Sequence, residues 1–122
     1  MPIRKEIVAN GEIYHMFNRG VDGRQVFQIK VDRRKLIVCW WFYRCKKLPI
    51  KPSRLSEVNI DQRTELINSI VDSPKRVDIL AYCLMNNHFH LLIRQLDDRG
   101  IEEFMSHSTN SYTRWFNERT GR

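Results

Sequence analysis

No run in the sequence approaches the roughly 20 consecutive apolar residues that a membrane-spanning helix needs. The opening residues Met1-Pro2-Ile3-Arg4-Lys5-Glu6 also lack the apolar stretch of a secretory signal. Both absences lead to the expectation of a soluble, cytoplasmic protein. Cysteine is sparse and odd in number: Cys39, Cys45 and Cys83 show none of the paired C-x-x-C spacings of zinc sites or redox pairs, which predicts reduced, packing thiols. There is no internal repeat, no low-complexity tract and no composition break that would mark a second domain. No carboxylate cluster accompanies the histidines, and Asp97 and Asp98 lie past the strand that carries them. A metal-dependent hydrolase of small phosphoesters is therefore poorly supported.

What is present suits one core. A chain of 122 residues with 42% hydrophobic and 11% aromatic content can bury a single sizeable interior, so one domain over residues 1–122 is expected. Positive charge is concentrated at one end. Residues 1–54 hold 13 Lys/Arg against 4 Asp/Glu, a surplus of nine, whereas residues 55–122 hold 8 against 10, a deficit of two. A basic surface polarised in this way suits a polyanion such as nucleic acid.

Along the chain, Glu12 to Arg19 is dense in β-formers and ends at Gly20-Val21-Asp22-Gly23, which predicts a first strand and a turn. Asp32 reads as an N-cap, and Arg33 to Lys47 as a largely buried helix that ends before Pro49. Leu48 to Ser56, with Pro49 and Pro52, reads as a loop. Leu66, Ile67, Ile70 and Val71 at three-to-four spacing predict a second helix over Asp61 to Asp72, stopped by Ser73-Pro74. Val77 to Met85 and Phe89 to Gln95 are apolar runs separated by Asn86-Asn87, hence two strands and a tight turn in which Asn can take a positive φ. After Gly100, Ile101 to Arg119 reads as a last helix, because Ile101, Phe104, Met105, Ser108, Tyr112, Trp115 and Phe116 recur at helical spacing. This order describes an α+β fold, an antiparallel ferredoxin-like sheet with helices packed on one face, and it leaves one strand of that sheet unassigned.

His88 and His90 stand two apart, so on a strand both imidazoles leave the same face while Phe89 points the other way. That spacing can put two nitrogens on one metal ion. Tyr112 lies on the apolar stripe of the last helix, where its ring can be buried while its hydroxyl reaches the sheet, as a rigidly held nucleophile requires. By spacing alone Tyr14, Tyr43 and Tyr82 compete with it on equal terms.

Three blocks then carry a resemblance: Tyr14-His15-Met16-Phe17-Asn18-Arg19-Gly20-Val21, the segment Ile79 to Gln95 centred on Asn87-His88-Phe89-His90, and Gly100-Ile101 through Ser111-Tyr112-Thr113-Arg114-Trp115-Phe116-Asn117. Together they resemble the HUH single-tyrosine transposases (IS200-like), in particular the REP-associated tyrosine transposase branch, and order and spacing agree across nearly the whole chain. The resemblance implies a ferredoxin-like fold, His88 and His90 as ligands of Mg2+ or Mn2+, Tyr112 as nucleophile, and single-stranded, hairpin-forming DNA as substrate. It further implies cleavage through a 5′-phosphotyrosine link that leaves a 3′-hydroxyl and can be reversed.

Two departures accompany it. The residue before Asn87, commonly proline in relatives, is Asn86, which should loosen the turn. The chain also stops at Gly121-Arg122, where relatives continue through a glycine, aromatic and basic segment, so a shortened chain is expected. Where relatives place a third ligand one turn past the tyrosine this chain has Phe116, and Asn117 becomes the candidate, about 140° round an ideal helix from Tyr112. His107 reads as a surface histidine. For DNA contacts the basic first half offers Arg4, Lys5, Arg19, Arg24, Arg33, Arg34 and Lys35, whose charges could neutralise phosphates while aromatics stack on bases. A second class of function stays open, a nucleic-acid-binding module that kept the fold and lost catalysis. The oligomeric state, a homodimer included, is undecided.

Overall fold

A strand buries every second side chain, and this alternation decides how the molecule is layered. The computed structural model describes residues 8–19, 25–48 and 50–121. Three antiparallel strands, β1 (Ile13–Arg19), β2 (Val77–Met85) and β3 (His88–Gln95), form a sheet in the order β1-β3-β2. In the central strand Phe89, Leu91, Ile93 and Gln95 are buried, while His88, His90, Leu92 and Arg94 are wholly or partly exposed. The register sets Met16 opposite Leu91, and Ile79 and Leu84 opposite Ile93 and Phe89, so both outer strands add apolar residues to the same side. A bulge between Ile79 and Ala81 shifts the pairing without reversing that sidedness.

Three helices complete the α+β fold: α1 (Lys30–Tyr43), α2 (Ile60–Asp72) and α3 (Gly100–Thr120). Leu36, Cys39 and Trp40 of α1 and Ile101, Phe104, Met105, Tyr112 and Phe116 of α3 form one buried cluster with Met16, Phe89, Leu91 and Ile93, so both helices lie on a single face of the sheet. Helix α1 is apolar on its other side too. There Phe42, with Val38 and Trp41 packed beside it, joins Cys45, Ile70 and Leu66 in a second cluster, and α2 therefore covers α1 instead of the sheet. The opposite sheet face carries no helix among the described residues. Strand order and helix placement match a ferredoxin-like sheet through its third strand, and no further strand pairs with β1 among the described residues. Among the described residues no helix is long and apolar enough to cross a membrane.

Boundaries differ from the sequence reading in instructive places. Asp32 is not the N-cap of α1: it sits inside the first turn, fully buried, and its Oδ2 accepts from the backbone N–H of Gln28 at 2.8 Å and of Ile29 at 3.1 Å. The side chain reaches back to cap donors that the helix leaves orphaned. Arg119, in the last turn of α3, completes the site, donating from Nε to Asp32 Oδ1 at 2.8 Å and from its terminal nitrogen to Oδ2 at 2.7 Å. Helix α1 ends at Tyr43, four residues early, because Cys45 forms a bridge to Lys75. Within the expected loop, Pro52–Glu57 form a short 3-10 helix. The Asn86-Asn87 turn does not use positive φ, which among described non-glycine residues only Arg99 adopts. It is not loosened either: the carbonyl of Asn86 accepts from Val26 N at 2.8 Å and Phe27 N at 3.2 Å, and its Oδ1 accepts from Arg33 at 2.8 Å.

Two positions hold α3 in place. A Cβ on Gly100 would lie 2.3 Å from the carbonyl oxygen of Arg76, a backbone atom that cannot swing aside. Gln95, buried at the end of β3, donates from Nε2 to Val8 O and Asn10 Oδ1 and accepts from Ile101 N at 3.1 Å, joining the first strand's approach, the sheet and the start of α3. Gly100→Ala is expected to cost on the order of 3 kcal/mol through overpacking. Arg119→Ala should cost about 3 kcal/mol, since it strips a buried carboxylate of its cation but leaves two backbone donors. Urea unfolding of each variant checks both values; a loss under about 0.5 kcal/mol, ordinary for a surface change, would refute either.

Candidate functional site

The open face of the sheet gathers an unusual set of rings. Alternation along β3 brings His88 and His90 to it, and the register brings Phe17 of β1 and Cys83 of β2 directly opposite His90. The rings of His88 and His90 are centred 5.0 Å apart and nearly perpendicular. His15, one step diagonal from His90, has its ring centred 5.0 Å away and nearly coplanar with it, and places Nε2 2.8 Å from His90 Nδ1. Phe17, 57% exposed, lies 5.7 Å from His15 and 6.2 Å from His90 by ring centres.

Both histidines of the pair have Nδ1 engaged. His88 Nδ1 donates to Oδ1 of Asn87 at 2.6 Å, and His90 Nδ1 meets His15. A divalent ion bound by this pair would therefore be bound through the Nε2 atoms, the usual division of labour in which one ring nitrogen ligates and the other is anchored. Among the described residues no three His, Cys, Asp or Glu side chains are arranged to hold a metal ion. The described donors of the His88–His90 pair are two imidazoles, so an ion held there would have to take its remaining ligands from water and phosphate oxygens.

Tyr112 is elsewhere. It is buried on α3 on the helical side of the sheet, between Phe27, Trp115 and Phe116, and its hydroxyl donates to the backbone carbonyl of Val26 at 2.5 Å. Burial, and next the negative charge of Asp32, hold its phenol well above the ordinary tyrosine range. Asn117 belongs to the same helix, so neither residue shares a face with His88 and His90. None of the other tyrosines does so: Tyr14 points to the helical side and accepts from Ala9 N, Tyr82 packs on Trp40, and Tyr43 stacks on His107.

Of the expected DNA-contacting residues, Arg4, Lys5 and Arg24 lie outside the described residues, as does the side chain of Arg19, whose backbone closes β1 opposite His88. Arg33 is committed locally, to Asn86 and over the ring of Phe27 at 5.3 Å. Arg34 and Lys35 face a groove of about 860 Å³ on the helical side, between Trp41, Leu66 and Trp115. That groove is remote from the histidines, and its size alone says nothing about where chemistry occurs. The sequence reading missed His15, Phe17 and Asn87 as members of the open-face group. The parity of β1 carried part of the signal, since His15 and Phe17 share one side.

A family model described as "Transposase IS200 like" matches residues 50–122, more than half of the chain, spanning α2, β2, β3 and α3. Neither the curated proteins nor the solved structures contain a match.

Tyr112→Phe should cost about 1 kcal/mol by removing one buried hydrogen bond. Since the folded phenol ionises later than the unfolded one, the wild type loses stability as pH rises above the ordinary value of 10, and the contribution is constant below it. Urea midpoints of the two proteins at about pH 8 and about pH 11 should therefore converge, whereas a gap that widens at the higher pH contradicts the assignment.

Proposed function

From the premise that the chain belongs to the IS200-like transposase family, a family of DNA-binding, DNA-processing proteins, we propose that it cleaves and rejoins single-stranded, hairpin-forming DNA with Mg2+ or Mn2+ held by His88 and His90. The observation that carries this reading is the pair of imidazoles on one open sheet face, each with Nδ1 already engaged. A divalent ion there supplies charge neutralisation and polarisation at the scissile phosphate. His88 and His90 would hold it on a rigid strand, which would fix where the phosphate sits. Phe17, exposed next to His90, offers a face on which an unpaired base beside that phosphate can stack. Arg34 and Lys35 would contact phosphates further along a bound duplex stem.

Tyr112 is the nucleophile in this reading. Its oxygen forms the bond to phosphorus, the bond from phosphorus to the 3′ oxygen breaks, and that oxygen leaves as a 3′-hydroxyl after taking up a proton. The 5′-phosphotyrosine conserves the energy of the broken bond, so rejoining needs no other source. For the attack to occur the phenol must lose its proton, leave the Val26 carbonyl and meet the phosphate on the open face, so α3 cannot keep its present packing throughout the reaction. Asn117 could serve as a third ligand only with the same displacement.

The buried, protonated state of Tyr112 favours a second reading, a domain that binds hairpin DNA without cutting it. Incubation with hairpin single-stranded DNA and Mn2+ separates the two. Strand transfer predicts a covalent adduct on the Tyr112 peptide, absent in Tyr112→Phe and reduced about 100-fold or more in His88→Ala or His90→Ala, since the ion is worth several kcal/mol of charge stabilisation. An adduct that persists in Tyr112→Phe sinks the nucleophile assignment. Hairpin binding that survives His88→Ala, with no adduct from any variant, establishes the second reading.

A further inference from the structure

We propose that His15 is a positioning residue for the metal pair: it accepts the Nδ1 proton of His90 and so presents the Nε2 lone pair of His90 to the ion. The inference rests on the reading of His88 and His90 as ligands. A neutral imidazole carries one proton on two nitrogens, and only the unprotonated nitrogen can ligate. An imidazole left to itself in water favours the proton on Nε2, which is the wrong form for ligation through that atom. An acceptor at Nδ1 reverses the preference.

For His88 the acceptor is the side-chain amide oxygen Oδ1 of Asn87, its own neighbour in the turn. For His90, in mid-strand, no neighbour in sequence can reach Nδ1, because adjacent residues Phe89 and Leu91 point to the other face. Another strand brings a ring nitrogen within hydrogen-bond distance: His15 of β1 places Nε2 2.8 Å from His90 Nδ1. The placement is held by backbone: Phe17 pairs with His90 and His15 with Leu92, so the His15 ring leans along the strand and meets His90 edge to edge, the two ring planes 15° apart. The two ligands are thus anchored by different devices, one local and one through sheet register, and the second disappears if β1 slips by one residue.

Two measurements decide it. In the metal-free protein, long-range proton–nitrogen NMR correlations of the ring should find His90 protonated at Nδ1 in the wild type, still so in His15→Gln, whose amide oxygen can accept, and shifted toward Nε2 protonation in His15→Phe, which keeps a ring and loses the acceptor. By Mn2+ titration followed by electron paramagnetic resonance, His15→Phe should bind Mn2+ about 10–100-fold more weakly, and His15→Gln within about 3-fold of wild type. A wild-type His90 protonated at Nε2 overturns the proposal without any variant having to fold. So does an unchanged Mn2+ affinity in a folded His15→Phe while His88→Ala abolishes binding, and in that case the ligand reading stands alone. If His88→Ala and His90→Ala bind Mn2+ as tightly as the wild type, the ligand reading itself fails and the role of His15 falls with it.

Discussion

The alternation of side chains along β3 is the constraint from which the rest follows. Eight residues send Phe89, Leu91, Ile93 and Gln95 one way and His88, His90, Leu92 and Arg94 the other. The first set anchors two helices and ends in the buried Gln95 amide that ties down the start of α3. The second set lines a face free of helices among the described residues. A one-residue slip of β3 would bury two imidazoles and expose two aliphatic side chains and a phenylalanine, so core and candidate site enforce each other's register.

The same constraint separates the chemistry. Helices α1 and α3 bury their stripes against the Phe89 side, and Tyr112 belongs to that stripe, so the residue best placed to be held rigidly is held on the side away from the imidazoles. Burial and the negative charge of Asp32 keep its phenol neutral, and the hydroxyl is bonded to Val26, which together oppose nucleophilicity. The demands of core packing and of the proposed catalysis conflict at this residue, and the structure satisfies packing.

Most elements were legible in the sequence because their periodicities are strong. β2 begins and ends where its apolar run does, and the start of β3 and both ends of α3 fall within one residue of those read from spacing. The shared face of His88 and His90 was legible for the same reason. Three things were not. The partnership of His15 and His90 spans 75 residues and depends on strand register, which no local pattern encodes. The side of the sheet taken by α3 is invisible to a helical stripe, which specifies that a face is buried but not against what. Asn86 looked like a weakened turn because the comparison was with proline's stiffness, whereas the stabilisation comes from Arg33 and from the backbone of residues 26 and 27.

Those last contacts also connect the two halves of the candidate chemistry. The Tyr112 hydroxyl donates to the carbonyl of Val26, and the N–H of the same residue donates to the carbonyl of Asn86, the first residue of the turn that leads into His88. Residue 26 is thus clamped between the phenol on the helical side and the hairpin that presents the imidazoles on the open side. Arg33 fastens the hairpin to α1 independently, and Arg119 fastens the end of α3 to Asp32 at the start of α1. If Tyr112 leaves Val26, the hairpin retains Arg33 and the backbone bonds from residues 26 and 27, so the imidazoles can stay in register while the phenol moves. The arrangement allows the proposed nucleophile's position to change at the cost of about one hydrogen bond plus its burial, without dismantling the strand that would hold the ion.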